Sequence, residues 1–262
     1  MRVCCEIQQL LLKIQNFSQG HHKLNKISNK NIFLTLQNNE KLYFGEVRKT
    51  LMGELTIGKF SQGYEKSYRT PIINHIIQKN NFKSYLEIGT HNGSNFDKII
   101  IKEKIGVDPK PLKEDPKIIR ISSDNFFKTN NSKYDIIFID GLHLEDQVDR
   151  DLKNSINYIN DNGIIIMHDC NPPSEFHQRQ NYKINEKFPP WNGTAWRSYV
   201  KLRMKNKNLS MCCVDCDWGV GIIKKGKQKL YNFIEDFSYW DLHNDRKTIL
   251  NLISVKQFLE MY

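Results

Sequence analysis

The chain has 262 residues, 39% of them hydrophobic and 11% aromatic, which is enough to bury a large core and too apolar for wholesale disorder. Its formal charge of +10 would suit an acidic partner, but the lysines and arginines are scattered and form no basic arm, so nucleic acid is disfavoured. No run approaches the roughly 18 apolar residues of a membrane span. The start, Met1-Arg-Val-Cys-Cys-Glu-Ile7, carries no cleavage pattern, so a reduced, cytoplasmic location with no membrane partner is expected.

Residues 1–66 are polar and uneven and read as an N-terminal extension or lid ahead of a main domain, 67–262. Within them Leu10 to Ile14 suits a short helix. Ile32 to Leu36 and Lys41 to Phe44 suit a strand pair across Asn38-Asn39. Pro71, ahead of Ile72 to Ile77, suits the first turn of a helix.

From residue 84 short apolar runs alternate with helical stretches. The runs are Ser84 to Ile88, Lys104 to Val107, Lys117 to Ile121, Asp135 to Ile139 and Gly163 to Met167. Nearly continuous apolar strands separated by helices predict a parallel sheet covered on both faces, an α/β fold. Val148, Leu152, Ile156 and Ile159 share one helical face and predict a crossover helix over 145–159. A helix over Thr194 to Lys205 follows. Then Leu209 to Val214 and Gly219 to Ile223 are joined by so short a link, Asp215-Cys-Asp-Trp218, that they must form an antiparallel hairpin. Arg246 to Met261 reads as an amphipathic tail helix.

Six cysteines are present: Cys4, Cys5, Cys170, Cys212, Cys213 and Cys216. Cys213-Val-Asp-Cys216 has zinc or redox spacing but no second half, so buried strand cysteines beside a turn are the simpler expectation.

Ligands of such sheets bind at the carboxyl ends of the strands. The residues at those exits are Glu87 and Gly89, Asp108, Ser123 and Asp124, Asp140, and His168 with Asp169. In Glu87-Ile-Gly89-Thr90-His91-Asn-Gly93 the glycine spacing is Gly-x-x-x-Gly behind an acid, which lacks the dinucleotide signature. The acid can instead accept from a ligand's ammonium group, and Asp108, about 20 residues on, can take ribose hydroxyls.

With these motifs in order, the stretch from Ser84 to Asp169 resembles the class I S-adenosylmethionine-dependent methyltransferases. The resemblance implies a Rossmann-like sheet of seven strands, the last antiparallel, with helices on both faces. It also implies that Glu87, Gly89, Thr90, His91 and Gly93 hold the cofactor's methionine end, His91 through its backbone. Asp108 would hold the ribose and Ser123 and Asp124 would lie near adenine, with Asp140 bordering the cofactor as well.

Asp135-Ile-Ile-Phe-Ile-Asp140-Gly-Leu-His143 and Ile166-Met-His168-Asp169 resemble the small-molecule O-methyltransferase branch, similar to its sugar, catechol and caffeoyl-CoA types. Asp140 and Asp169, on neighbouring strand tips, could share Mg²⁺ or another divalent cation. The chain departs from the catechol type in carrying Asp169-Cys170-Asn171 where that type has Asp-Asn, which leaves the third ligand open. His143 and His168 are the candidate bases, with Asp140 counted among the catalytic residues.

Phe188-Pro-Pro-Trp191-Asn192-Gly-Thr-Ala-Trp196-Arg197 follows the fifth strand, where an acceptor pocket would be built. Trp191 could wall it, Asn192 and His177 could bond hydroxyls, and Arg197 could meet an anion. Trp196 shares helical spacing with Val200 and Met204 and fits a core position equally well. The expected activity is methyl transfer to an oxygen of a small acceptor, a sugar or nucleotide sugar foremost, and a homodimer is compatible with it. Two rivals stand beside it: methylation of nucleic acid or protein, and a catalytically silent cofactor-binding partner subunit. Against the first, Asn171-Pro172-Pro173-Ser174 stops one residue short of the amino-methylation signature.

Overall fold

The computed structural model describes residues 68–184, 186–231 and 237–262. The extension, with the helix and strand pair expected inside it, lies outside the described residues. Eight strands form one sheet: β1 (Ser84–Ile88), β2 (Glu103–Val107), β3 (Ile118–Ile119), β4 (Tyr134–Ile139), β5 (Ile159–Met167), β6 (Leu209–Val214), β7 (Val220–Lys225) and β8 (Leu252–Ile253). Their order is β3-β2-β1-β4-β5-β7-β6-β8, with β1 to β5 mutually parallel and β7 antiparallel to both β5 and β6. The first seven strands are those expected. The eighth pairs parallel to β6 through Cys213↔Leu252 and Val214↔Ile253.

The helices among the described residues are α1 (Arg69–Asn80), α2 (Ser123–Thr129), α3 (Glu145–Tyr158), α4 (Ala195–Lys205), α5 (Tyr239–Asn244), α6 (Arg246–Ile249) and α7 (Val255–Met261). None of the described helices is long and apolar enough to cross a membrane. Strand residues alternate between two buried clusters, as the two-residue period of a pleated strand requires. Leu86, Ile88, Ile137, Ile139, Ile165 and Met167 pack with α2, α3 and α4, while Tyr85, Ile136, Phe138, Ile164 and Ile166 pack with α1 and α7. Burial on both faces is why these strands read as unbroken apolar runs.

Two expectations are corrected. The tail over 246–261 is not one helix: Asn251 takes φ 47° and Leu252–Ile253 joins the sheet. Helix restarts only where Ser254 and Gln257 form a reciprocal capping box. Between β1 and β2, where a helix was expected to open after the glycine loop, the chain forms only a single 3₁₀ turn, Phe96–Lys98. Asn95 is spent there on an inward hydrogen bond to Glu87 instead of capping a helix.

Residues 182–190 form part of a second compact unit. Within this stretch Ile184 and Lys187 make an isolated bridge, and the Tyr182 and Phe188 rings stack at 5.8 Å.

Candidate functional site

The candidate cofactor side lies at the exits of β1 and β2. Gly89 has φ +87°, and a Cβ there would collide with the Asp140 carbonyl, so the position demands glycine. Gly93 is also left-handed, at φ 76°. His91 is exposed and contributes its backbone: its N–H donates to Asp108 Oδ2 at 2.8 Å, and Lys110 N–H donates to Oδ1 at 2.8 Å. Two backbone donors thereby fix the Asp108 carboxylate. Thr90 is 3% exposed, and its hydroxyl is buried without a partner. A buried orphan hydroxyl inside this loop is what a polar ligand would satisfy, so the loop fits a bound cofactor.

Glu87 is 1% exposed. Its Oε2 accepts from Tyr85 Oη at 2.5 Å and Asn95 Nδ2 at 2.9 Å. Burial outweighs both donors and pushes the carboxyl up to about 8. At the exit of β3, Ser123 and Asp124 open α2. Asp124 accepts from Arg150 Nε at 3.1 Å, and Gln147 bridges Ser123, Asp124 and Asp151. Asp151 is a residue the sequence concealed. It sits on the buried face of α3, and desolvation raises it to about 6.

The ladder runs one residue past β4 and β5. Asp140 N–H donates to the Ile88 carbonyl at 2.9 Å and His168 N–H to the Ile139 carbonyl at 3.0 Å, which sets the two side by side. Asp169 then turns left-handed, φ 59°, an excursion that aspartate tolerates. The result is a dense cluster. His143 Nδ1 lies 2.8 Å from Asp169 Oδ2, outside good hydrogen-bond angles, and its Nε2 lies 3.4 Å from Asp140 Oδ1. His168 Nδ1 lies 3.2 Å from Asp140, and its Nε2 3.4 Å from Asp217.

Arg69, at the start of α1, places Nη1 3.1 Å from Asp140 and 2.9 Å from His168 Nδ1. The α1 N-cap residue, Tyr68, offers no side-chain cap. Asp217 supplies one from 148 residues away, accepting the Arg69 N–H at 2.9 Å. Asp217, Trp218 and Gly219 all take positive φ in the β6–β7 turn. Left-handed backbone costs about 1 kcal/mol or more per non-glycine residue, so this turn is held by what it presents.

These charges set one another. Burial works against ionising Asp140, yet His168, His143 and Arg69 hold it well below the ordinary carboxylate range. Asp169 is likewise brought down to about 2 by both histidines. Burial would depress His143, but Asp169 and Asp140 prevail and push it up to about 10. His168 is raised in the same way. Asp140, His143 and Asp169 each offer a ligand atom within 4.8 Å of one another. Among the described residues they are the one such group of His, Cys, Asp or Glu placed to hold a metal ion. Cys170, Cys212, Cys213 and Cys216 are buried free thiols.

Of the acceptor-side candidates, Trp191 stacks on the His143 ring at 5.0 Å and 13°, with its Nε1 on the Arg179 carbonyl at 2.6 Å. Asn192 donates to Asp169 Oδ1 at 2.6 Å, and its own Oδ1 is buried without a partner. A Cβ on Gly193 would collide with the His143 carbonyl, so glycine lets this loop close over the cluster. His177 is buried beneath that loop, its carbonyl accepting from the Asn192 and Gly193 N–H groups. Arg197 turns to the Phe237 carbonyl at 2.9 Å and to the Trp196 and Phe237 rings rather than to the cluster. Trp196 is wholly buried core. Arg69 and Asp217 were missed because each stands alone in a stretch without a motif. The Asp215-Cys-Asp turn between two strands was the only hint.

A parallel sheet in the order 3-2-1-4-5, an antiparallel β7 inserted beyond β5, and an acid–Gly-x-x-x-Gly loop after β1 together define the Rossmann-like class I methyltransferase fold. Residues 75–170 match a family model described as a methyltransferase domain. Over that stretch the chain is similar to methyltransferase domains. No curated protein matches it. Similar solved structures include a methyltransferase from Podospora anserina bound to S-adenosylhomocysteine, at 16% identity, covering 76% of this chain and 95% of that one, TM-score 0.48. Another is an O-methyltransferase from Bacillus cereus in complex with S-adenosylhomocysteine, at 11% identity over 68% and 94%, TM-score 0.41. A third is the O-methyltransferase TomG from Streptomyces achromogenes, at 7% identity over 72% and 96%, TM-score 0.45.

Proposed function

We propose that the chain methylates a hydroxyl oxygen of a small acceptor, a sugar or nucleotide sugar, above the tips of β4 and β5. The observation that carries this reading is the cluster of Asp140, His143, His168 and Asp169 roofed by the Trp191 ring. A flat aromatic surface over charged hydrogen-bonding groups suits a polyhydroxylated ring. When bound, S-adenosylmethionine supplies an electrophilic methyl and departs as a neutral thioether, so this chain owes the reaction a base and no acid. Glu87 receives the cofactor's ammonium group, Gly89, Thr90, His91 and Gly93 line its methionine end, Asp108 takes the ribose, and Ser123 and Asp124 border adenine. Asn192, through its free Oδ1, and His177 from the adjoining segment complete the acceptor side, whereas Arg197, which faces Phe237, takes no part in it.

Asp140, Asp169 and His143 suit a divalent cation such as Mg²⁺: two hard oxygens and one imidazole converge within 4.8 Å. Such an ion would supply Lewis acidity beside the acceptor oxygen. A cation-free route has its own support. Arg69 already offsets Asp140, and Asp169, held by Asn192, lies 2.8 Å from His143 Nδ1 as a charge partner, an arrangement from which a small turn of the ring would make a positioned general base. His143, raised to about 10, must shed its proton before it can act so.

Asn171 is tied to Arg246 and Asp215 instead of facing a substrate, which weighs against an amino-methylation site of the nucleic-acid kind. A panel of sugars, sugar nucleotides, RNA and protein with radiolabelled cofactor, with and without chelator, tests the reading. Label in a sugar is expected. Label only in RNA or protein overturns the acceptor class, and full activity after exhaustive chelation selects the His143 route.

A further inference from the structure

The first turn of α1 reaches the cofactor side as well as the cluster. Thr70, next to Arg69, donates its hydroxyl to Asn95 Oδ1 at 2.6 Å. Asn95, 8% exposed, turns its Nδ2 the other way, to Glu87 Oε2 at 2.9 Å and towards Tyr85 Oη at 3.3 Å. Tyr85 and Glu87 lie two apart on β1 and so share the face of the sheet that packs against α1.

An amide can present either end. The Thr70 hydroxyl, donating to Oδ1, and the Glu87 carboxyl, accepting from Nδ2, together hold the donor end towards Glu87, and Thr70 fixes the amide in place from the far side. With the amide reversed, Oδ1 would oppose Glu87 acceptor to acceptor, in a place too buried for water to relieve it. Both donors meet on Oε2, which leaves Oε1 for a ligand. The same turn is pinned from outside by Asp217 on the Arg69 N–H, so the Thr70 hydroxyl stands on a fixed support.

We infer that Thr70, acting through Asn95, is a positioning residue that orients Glu87 to receive the amino group of the cofactor's methionine end. The inference rests on the assignment of Glu87 to that ammonium group. Nothing in the Glu87-to-Gly93 motif contains it, because Thr70 lies before β1 and Asn95 beyond the glycines.

Two probes separate this role from a structural one. S-adenosylhomocysteine carries the amino-acid end, whereas 5′-methylthioadenosine keeps the adenosine and sulfur without it. Calorimetry on the full chain reads the ratio of their affinities. Glu87→Gln should collapse that ratio. Thr70→Val should shrink it about tenfold, as expected when one hydrogen bond that orients Asn95 is lost, by weakening S-adenosylhomocysteine alone. Thr70→Ser, which keeps the hydroxyl, should restore it to within about threefold. Thr70→Ala, which adds no methyl against the helix, is read in parallel and should match Thr70→Val. If Glu87→Gln leaves the ratio unchanged, the ammonium assignment itself fails. If Glu87→Gln collapses the ratio while both Thr70 variants weaken the two probes equally, or neither, Thr70 only supports the fold and the inference is wrong.

Discussion

The two halves of the proposed reaction site are assembled in different ways. On the cofactor side the bonds are short in sequence: Asn95 reaches Glu87 across 8 positions and His91 reaches Asp108 across 17. On the acceptor side Arg69 joins Asp140 across 71 positions, His168 across 99 and Asp217 across 148. One half is a loop folding onto its own strands, while the other is a meeting of remote segments that must all arrive. A local loop can be damaged by one backbone change. A cluster of mutually compensating charges should fail in degrees, according to which partner is left uncompensated.

The largest effect should therefore come from Gly89→Val. A side chain at φ +87° against the Asp140 carbonyl displaces the loop, and S-adenosylhomocysteine binding should drop below detection by calorimetry while circular dichroism keeps the sheet signal. Retained binding would show that the loop is more pliable than the comparison requires.

Asp217→Asn should act in the opposite way. It keeps the shape but removes charge from Arg69 and His168, so turnover should fall roughly 10- to 100-fold while S-adenosylhomocysteine affinity stays within about threefold. An equal loss in both measurements would merge the two halves into one unit.

The smallest effect sharpens the picture of Glu87. Its carboxyl titrates near 8 in the fold and near 4.5 when free, so the folded protein holds a proton that the unfolded chain has released between those values. Stability of the ligand-free protein should fall as pH rises through that window. Glu87→Gln removes the dependence, so its melting temperature should match wild type below pH 4.5 and exceed it by a few degrees near pH 8. A difference that does not change with pH would mean that Glu87 is ionised throughout.

The same contrast explains what could be read in advance. Strands buried on both faces announce themselves as apolar runs, and β1, β4, β6 and α3 fall where Ser84 to Ile88, Asp135 to Ile139, Leu209 to Val214 and 145–159 predict them, within a residue. The ends of β1, β2, β4 and β5 carry Glu87, Asp108, Asp140 and Asp169, the acids from which the candidate site is built. The tail misled because its apolar spacing hid a break: Asn251 turns left-handed so that Leu252 can pair beside Cys213. The capping pair Ser254 and Gln257 was visible three residues apart and marked the restart. Asp151 looked like any solvated helix acid, since only the packing of α3 shows which of its faces is covered. Arg69 carries no local signal and Asp217 only that of an acidic turn, because a charge finds its partner in space and not in spacing.

The place of β7 has a consequence for how the chain is made. It lies between β5 and β6 although it follows both in sequence, so the edge of β5 stays open until residues 220–225 have left the ribosome. A nascent chain paused before that point exposes Ile164, Ile165, Ile166 and Met167 along a bare strand edge, the kind of template on which other chains add. Completion of the sheet is thus a late event, with α7 sealing the opposite face through Phe258 and Tyr262. Truncated chains ending before residue 220 should collect as aggregates rather than as smaller folded domains, visible on co-expression with a holding chaperone.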